Sequence, residues 1–245
     1  MTGQLAPALS IPFQVDRLHE HCSFERAVVS NVMPQSRPNL ALACTLSALA
    51  GYVDAIGFLH LGGLYVSFMS GNSTRLGVTL AEAQWQQALK ALALIALFVA
   101  GAAAGSLVAR SRIAPRQPLI LLIEAGLLVA AAVAHAYGEP NAAIAAIVLA
   151  MGLENEVFQT EGGAGLGLTY VTGALAKTGQ LIAAALTGGA GWAWLPSLLL
   201  WAALVTGALF GAAAYRWINL AAIWFAAGTA FGLSALVAAT AKRTD

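Results

Sequence analysis

The sequence predicts an all-α integral membrane protein. Hydrophobic residues make up 59% of the 245 residues and charged residues only 9%, against roughly 25% charged residues in an ordinary soluble domain. Apolar runs of about 20 residues, the length with which a helix crosses a bilayer, recur along the chain. The strand alternation that is typical of outer-membrane barrels does not occur. A net charge of +1 gives the chain no basic footprint for nucleic acid.

Eight apolar segments are predicted, separated by short stretches rich in glycine, proline and charge. They cover residues 39–59, 63–82, 87–109, 117–137, 141–159, 164–187, 193–215 and 217–240. Six of them are interpreted as firm spans. The second and the sixth segments are long enough to cross but have polar centres, and we predict that they are broken or re-entrant. Eight full spans are the alternative.

The two ends of the chain differ from this transmembrane domain, which covers residues 39–240. Residues 1–38 contain "DRLHEHCSFER" and four prolines, without the apolar run of a secretory signal. They predict a polar, partly disordered cytoplasmic tail, and His19, His21 and Cys22 are interpreted as solvated there. Residues 241–245 form a short basic C-terminal tail.

The segments also repeat. The matching stretches are "AGYVD" (50–54) with "MGLEN" (151–155), "FMSGNSTRLG" (68–77) with "YVTGALAKTG" (170–179), and "GAAAG" (101–105) with "GALFG" (207–211). Three matches in the same order, at offsets of 101, 102 and 106, predict two homologous four-segment repeats over residues 39–137 and 141–240.

Some of these motifs resemble a known family. "GYVDAIGFLHLGGLYVSFMSGN", "AMGLENEVF" and "TYVTG" are similar to the YoaK family of bacterial inner-membrane proteins, over about residues 40–240. Ser70 stands where that family has Thr, and Glu154 stands where it has Gln. The resemblance implies a location in the bacterial inner membrane but no substrate or activity.

Basic residues lie halfway along both polar-centred segments, Arg75 in one and Lys177 in the other. A basic residue at the centre of a span costs roughly 2.5–3.5 kcal/mol on insertion scales and faces protein or water. Three interpretations stay open: a substrate or ion site, a structural ion pair between helices, and side chains that reach the interface. The candidate acidic partners are Asp54, Glu124, Glu154 and Glu156.

Gly71-Asn72 and Gly173 are predicted helix breaks, because glycine is a poor helix former and Asn offers competing hydrogen bonds. Paired breaks at depth are typical of transporter binding sites, whereas close helix packing is the alternative. Hydroxyls of Ser70, Ser73, Thr74, Thr169 and Thr172 are available to complete such a site. The predicted substrate-binding residues are Asp54, Ser70, Gly71, Asn72, Arg75, Asn155, Thr172, Gly173 and Lys177.

The carboxylates allow more than one interpretation. Asp54 and Asn155 either cap the turns that follow their spans or reach the centres of the polar segments. Glu124 and Glu154 are candidate proton sites, since an intramembrane carboxylate is often functional. For Glu124 a protonated, hydrogen-bonded structural role is an equal alternative.

These features predict a small transporter or channel for a polar or anionic small solute, with its site at the interrupted segments 63–82 and 164–187. The alternative is a non-transporting scaffold or partner protein with a dry, salt-bridged core. Enzyme motifs such as HExxH, GxSxG and the P-loop do not occur, and neither a cofactor nor a metal is expected. The expected partners are the lipid bilayer, an unidentified solute and a second copy of the chain, without nucleic acid.

Topology is predicted from the Lys/Arg excess of cytoplasmic loops. The basic clusters are Arg17, Arg26 and Arg37, then Arg110, Arg112 and Arg116, and finally Lys242 and Arg243. Both topologies leave both termini cytoplasmic. The rule is obeyed by all three clusters only if the two polar-centred segments dip in and return, which leaves six spans.

Overall fold

A computed structural model of the chain describes residues 37–111, 115–158 and 171–241. Within these ranges the protein is all-helical. In chain order the α-helices are α1 (Arg37–His60), α2 (Met69–Ala81), α3 (Trp85–Arg110), α4 (Arg116–Ala136), α5 (Pro140–Glu154), α6 (Val171–Leu186), α7 (Leu195–Ile218) and α8 (Ile223–Ala241). Single 3₁₀ turns follow α5 (Asn155–Phe158) and α7 (Asn219–Ala222).

Four stretches of the described chain are long and apolar enough to cross a membrane. They are Leu40–His60, Trp85–Arg110, Arg116–Ala136 and Leu195–Thr240, the last of which contains α7 and all but the last residue of α8. The predicted span 141–159 is not among them, because α5 has only 15 residues. Their outward faces carry many exposed large apolar side chains, such as Leu107, Leu209 and Phe225, as expected of surfaces in contact with lipid. The predicted class of a multi-pass helical membrane protein is therefore confirmed.

The predicted segment 63–82 is helical only in its second part. Gly62 and Gly63 end α1 with φ of 66° and 102°, a left-handed conformation that glycine adopts without strain. Residues 61–68 are irregular, and α2 begins at Met69. With 13 residues, α2 is about 20 Å long, shorter than the hydrocarbon core of about 30 Å.

The break lies ahead of its predicted position. Gly71 and Asn72 were predicted to interrupt the helix, but both lie in the first turn of α2. Gly71 is required there for packing, because a Cβ would lie 2.6 Å from Cδ1 of Phe68 and 2.9 Å from Cε2 of Tyr65. Gly173, the other predicted break, is likewise helical within α6.

Two pairs of helices cross at glycines. Residue numbers increase in the same direction along the contacts between α1 and α7. Ser47 Oγ donates to the Leu200 carbonyl at 3.0 Å, and His60 Nδ1 lies 3.2 Å from Tyr215 Oη. The two helices are therefore parallel. At the crossing, Gly207 and Gly211 lie against backbone carbonyls of α1 with no room for a Cβ. Helices α3 and α5 cross in the same way, at Gly101, Gly105 and Gly152.

The centre of the fold is α4, which packs between α5 and α8. Its buried side chains recur at helical spacing and include Ile120, Leu121, Glu124, Ala125 and Leu128. Helix α8 contributes the buried alanines of its first two thirds. The small side chains of α8 let the helices approach closely, a common device where apolar surface alone does not drive helix association.

Candidate functional site

Asp54 of α1 is hydrogen-bonded to the irregular stretch 61–68. Its Oδ1 accepts hydrogen bonds from the backbone N–H groups of Val66 (2.9 Å) and Ser67 (2.7 Å). Its Oδ2 accepts a third from Ser67 Oγ at 2.6 Å. Hydrogen bonds to a charged acceptor are short and strong, and the carboxylate lies just ahead of the N-terminus of α2, where negative charge is favourable. Asp54 therefore positions the entry into α2.

Asn72 holds the same stretch from the other side. Its Oδ1 accepts from the Tyr65 N–H at 2.8 Å, and its Nδ2 donates to the Tyr65 carbonyl at 2.7 Å. The side chain is fully buried. By pairing both backbone groups of Tyr65, Asn72 satisfies polar groups that would otherwise be costly at membrane depth. In this structure Asn72 clamps the loop.

A cavity of about 430 Å³ lies beside Asp54, within the range of roughly 300–1,000 Å³ for small-molecule sites. Four elements form its walls: α1, the stretch before α2, the first turn of α6, and α7. Its lining consists of Gly51, Asp54, Ala55, Phe58, Leu59, Tyr65, Ser67, Phe68, Val171, Thr172, Leu204, Ala208 and Ala212. Among the described lining residues most are apolar, and Asp54, Ser67, Tyr65 and Thr172 contribute the polar groups.

Aromatic rings form one side of this cavity. Tyr65 packs against Phe58 with ring centroids 5.0 Å apart and against Phe68, edge-on, at 5.2 Å. Aromatic pairs at these distances are stabilising beyond the area they bury. The three rings give the cavity an apolar wall.

Arg75 belongs to a second cavity. This space of about 270 Å³ is lined by Leu61, Gly62, Leu64, Arg75, Gln87 and Lys90. Arg75 is exposed on α2, and Lys90 of α3 is a second cation beside it. Lys90 and Gln87 were not among the residues predicted from the sequence, although a lysine in the second turn of a span indicates a polar environment.

The other predicted residues lie apart from both cavities. Ser70 is exposed on α2, Gly173 is exposed on α6, and Lys177 is half-buried on α6. Asn155 begins the 3₁₀ turn after α5, and its Nδ2 donates to the Met151 carbonyl at 2.9 Å. The structure thus brings Asp54 and Thr172 together, next to Asn72, and separates them from Arg75. Thr169 lies outside the described residues.

Two glutamates are buried away from these cavities. Glu124 is 0% exposed and Glu154 is 2% exposed. Within the described parts of the chain, both carboxylate oxygens of Glu124 and Oε1 of Glu154 have no hydrogen-bond partner. Buried polar atoms are nearly always hydrogen-bonded in proteins, so this pair is an exception that calls for a physical reason.

Comparison with known proteins identifies a family. The model of the family described as "Protein of unknown function (DUF1275)" matches residues 42–236. The chain is also similar to UPF0700 transmembrane protein RA0705 of Rhizobium meliloti (strain 1021), with 34% identity over 170 residues, 69% of this chain and 73% of the relative. No solved structure matches the chain.

Proposed function

The chain belongs to the DUF1275 family of membrane proteins, and on that premise we propose that it is a small transporter or channel. The observation that carries the proposal is the cavity beside Asp54, where the stretch before α2 and the first turn of α6 meet between α1 and α7. Short helices that begin at depth and face a shared cavity are typical of transporter sites. The narrower resemblance to the YoaK family, and with it the inner-membrane location, stays a prediction.

We further propose that the segment containing α2 is re-entrant. The end of α1, at Leu61 and Gly62, and the beginning of α3, at Gln87 and Lys90, line the same cavity of about 270 Å³. They therefore share one side of the membrane. A full crossing between them would separate these residues by the thickness of the bilayer, about 30 Å.

The packing of α4 on α8 supports the same topology. Ser234 Oγ donates to the Pro118 carbonyl at 2.8 Å, and α4 also contacts the turn Asn219–Ala222 that precedes α8. Both contacts are satisfied together only if α4 and α8 are antiparallel. Six spans with two re-entrant segments make these helices antiparallel, whereas eight full spans make them parallel.

The glycine crossings support two inverted repeats. Three glycine contacts between α1 and α7 have counterparts between α5 and α3, at the sequence offsets found between the repeats. The corresponding contacts are Gly51 on Leu204 and Gly152 on Phe98, Gly207 on Ala48 and Gly101 on Leu149, and Gly211 on Tyr52 and Gly105 on Leu153. With three spans in each half, the halves have opposite orientation, and the basic clusters keep both termini cytoplasmic.

The lining of the cavity suggests the class of solute. Its aromatic and aliphatic walls favour an apolar body, and Thr172 with the N-terminal end of α6 favours a polar group that accepts hydrogen bonds. We propose a small solute with one polar end. An anionic preference based on Arg75 and Lys177 has no support from this cavity, because neither residue lines it.

A flux experiment tests the proposal. Ala212 lines the cavity on α7, and its neighbour Ala213 is exposed, so Ala212→Phe fills the cavity while Ala213→Phe adds the same ring outside it. In proteoliposomes we expect a panel of aromatic and branched amino acids, aromatic amines and monocarboxylates to contain a solute that the wild type transports. Ala212→Phe should reduce its flux at least about tenfold, equivalent to about 1.4 kcal/mol, and Ala213→Phe should leave it unchanged.

Equal flux through wild type and Ala212→Phe would refute the cavity as the solute path. Flux of no solute in the panel would favour the scaffold alternative. That alternative requires Arg75 in a dry, salt-bridged core, whereas Arg75 is exposed and lines a cavity.

A further inference from the structure

Glu124 and Glu154 lie on the two adjacent helices α4 and α5. Both side chains are buried, and of their four carboxylate oxygens three have no hydrogen-bond partner in the described chain. Burying an ionised carboxylate without a partner costs several kcal/mol. A buried carboxyl group in such surroundings is stable when it holds a proton or a cation.

The helix register brings the two carboxyl groups together. The helices form an antiparallel hairpin through the turn at Gly138, and Gln117 Nε2 donates to the Val157 carbonyl at 3.1 Å. Seven residues further along α4, Glu124 lies opposite Ala150, one turn from Glu154. That is about 6 Å along the helix axis.

The directions of the side chains close this gap. In an α-helix each side chain tilts towards the N-terminus of its own helix. In this antiparallel pair Glu124 therefore leans towards the level of Glu154, and Glu154 leans towards the level of Glu124. The two side chains therefore approach each other between α4 and α5, and α1, which carries Asp54, also contacts α5.

We propose that Glu124 and Glu154 share one proton and form a proton-binding site in the core of the protein. Two carboxylates that are close together in dry surroundings do not both ionise, because the charge of one opposes ionisation of the other. The pair then releases its two protons in two separate steps that belong to the pair as a whole.

Among the described residues, the elements packed on the pair carry Lys and Arg side chains only near helix ends. Helix α8 and the turn Asn219–Ala222, which pack on α4, carry no charged side chain between residues 219 and 240. Other charged or titratable side chains described on neighbouring elements lie within two turns of a helix end or in a turn: His60, Lys90, Arg110, Arg116, His135, Tyr137, Glu139 and Glu156. Tyr52, nearer the middle of α1, donates its hydroxyl to the Ala222 carbonyl at 2.9 Å. The described residues contain no group of three or more His, Cys, Asp or Glu arranged to hold a metal ion, which favours a proton.

Asp54 links the pair to the cavity. It lines the cavity and fixes the stretch before α2, and its helix α1 contacts α5, which carries Glu154. A change in the protonation of Glu124 and Glu154 therefore alters the electrostatic surroundings of Asp54, the residue that positions the cavity wall. This coupling role rests on the proposed transport function, whereas the proton site itself does not.

Infrared titration of the purified protein tests the proton site without any solute. The carbonyl band of a protonated carboxylic acid is followed against pH in the wild type, Glu124→Gln, Glu154→Gln and the control Glu139→Gln, whose side chain is exposed at the α4–α5 turn. We expect two steps in the wild type and in the control. Either Gln variant should lose half of the amplitude of the carbonyl band, because one of the two carboxyl groups is gone. It should also lose the more alkaline step, because the remaining carboxyl group then ionises beside a neutral amide.

Two results would overturn the proposal: a band that does not titrate while the protein is folded, or variants that each lose half of the amplitude without moving a midpoint. If a variant does not fold, the carbodiimide measurement given next decides the question, because two independent carboxyls with different pKa values would also titrate in two steps. As a second measurement, a hydrophobic carbodiimide, which attacks protonated carboxyls in apolar surroundings, should modify Glu124 or Glu154 but not both in one chain. A two-step titration without solute flux would refute only the transport function.

Discussion

Asp54 and Ser67 form a contact whose energy can be tested directly. Ser67 donates both its backbone N–H and its hydroxyl to the Asp54 carboxylate, at 2.7 and 2.6 Å, and the serine is only 3% exposed. The contact joins α1 to the stretch that leads into α2. We expect it to be a main source of order at this wall of the cavity.

The magnitude follows from the bonds involved. A hydrogen bond to a charged group contributes about 1.5–3 kcal/mol, and a buried donor left without a partner costs about 1–3 kcal/mol. Asp54→Ala strands the N–H groups of Val66 and Ser67, so the free energy of unfolding should fall by about 2–6 kcal/mol. Asp54→Asn keeps an acceptor oxygen and should cost about 1–3 kcal/mol, the difference between charged and neutral bonds.

A double-mutant cycle isolates the side-chain bond. Unfolding is measured in mixed micelles with increasing denaturing detergent for wild type, Asp54→Ala, Ser67→Ala and the double variant. Ser67→Ala should cost about 1.5–3 kcal/mol alone and almost nothing once Asp54 is removed. If the two single effects add within about 0.5 kcal/mol, as they do for independent sites, the side-chain bond between Asp54 and Ser67 does not contribute to stability.

Three further predictions concern the crossings, the topology and Arg75. Gly207→Ala should lower the free energy of unfolding by about 1–3 kcal/mol, because its Cβ would meet the Ala48 carbonyl. Gly228→Ala is the control, since no atom lies within 4 Å of its new Cβ. Equal unfolding curves for the two variants would contradict the packing of α1 on α7. The topology is tested with single cysteines in a background without Cys22 and Cys44. In intact cells, the cysteine of Ile113→Cys should be protected from an impermeant thiol reagent, and the cysteine of Tyr137→Cys should react. Labelling of the Ile113→Cys variant would reject six spans. Arg75→Leu should change the free energy of unfolding by no more than about 0.5 kcal/mol, since Arg75 is exposed; a loss of about 3–5 kcal/mol, measured in the same micelles, would indicate a buried ion pair.

The membrane class and the positions of the helices are readable from the sequence, because they depend on properties summed over many neighbouring residues. Apolar runs near α1, α3, α4 and α7–α8 predict spans, since about 20 apolar residues match the thickness of the bilayer. The polar centre of segment 63–82, however, lies within α2, and the irregular stretch 61–68 precedes it. Its break is displaced, because Gly71 is conformationally permissive yet is used here for contact with two aromatic rings.

The site itself depends on contacts between residues that are distant in the chain. The distance from Asp54 to Thr172 is 118 residues in sequence, and only the crossing of α1 and α7 beside α6 brings both to one cavity. Arg75 and Asp54 are closer in sequence but lie at different cavities, since the turn at Gly62-Gly63 and the direction of α2 decide where each side chain points. Glu124 and Glu154 were visible as separate acids in the sequence. Their pairing follows from the register of α4 and α5, which a hydrogen bond from Gln117 to Val157 sets and which no local pattern encodes.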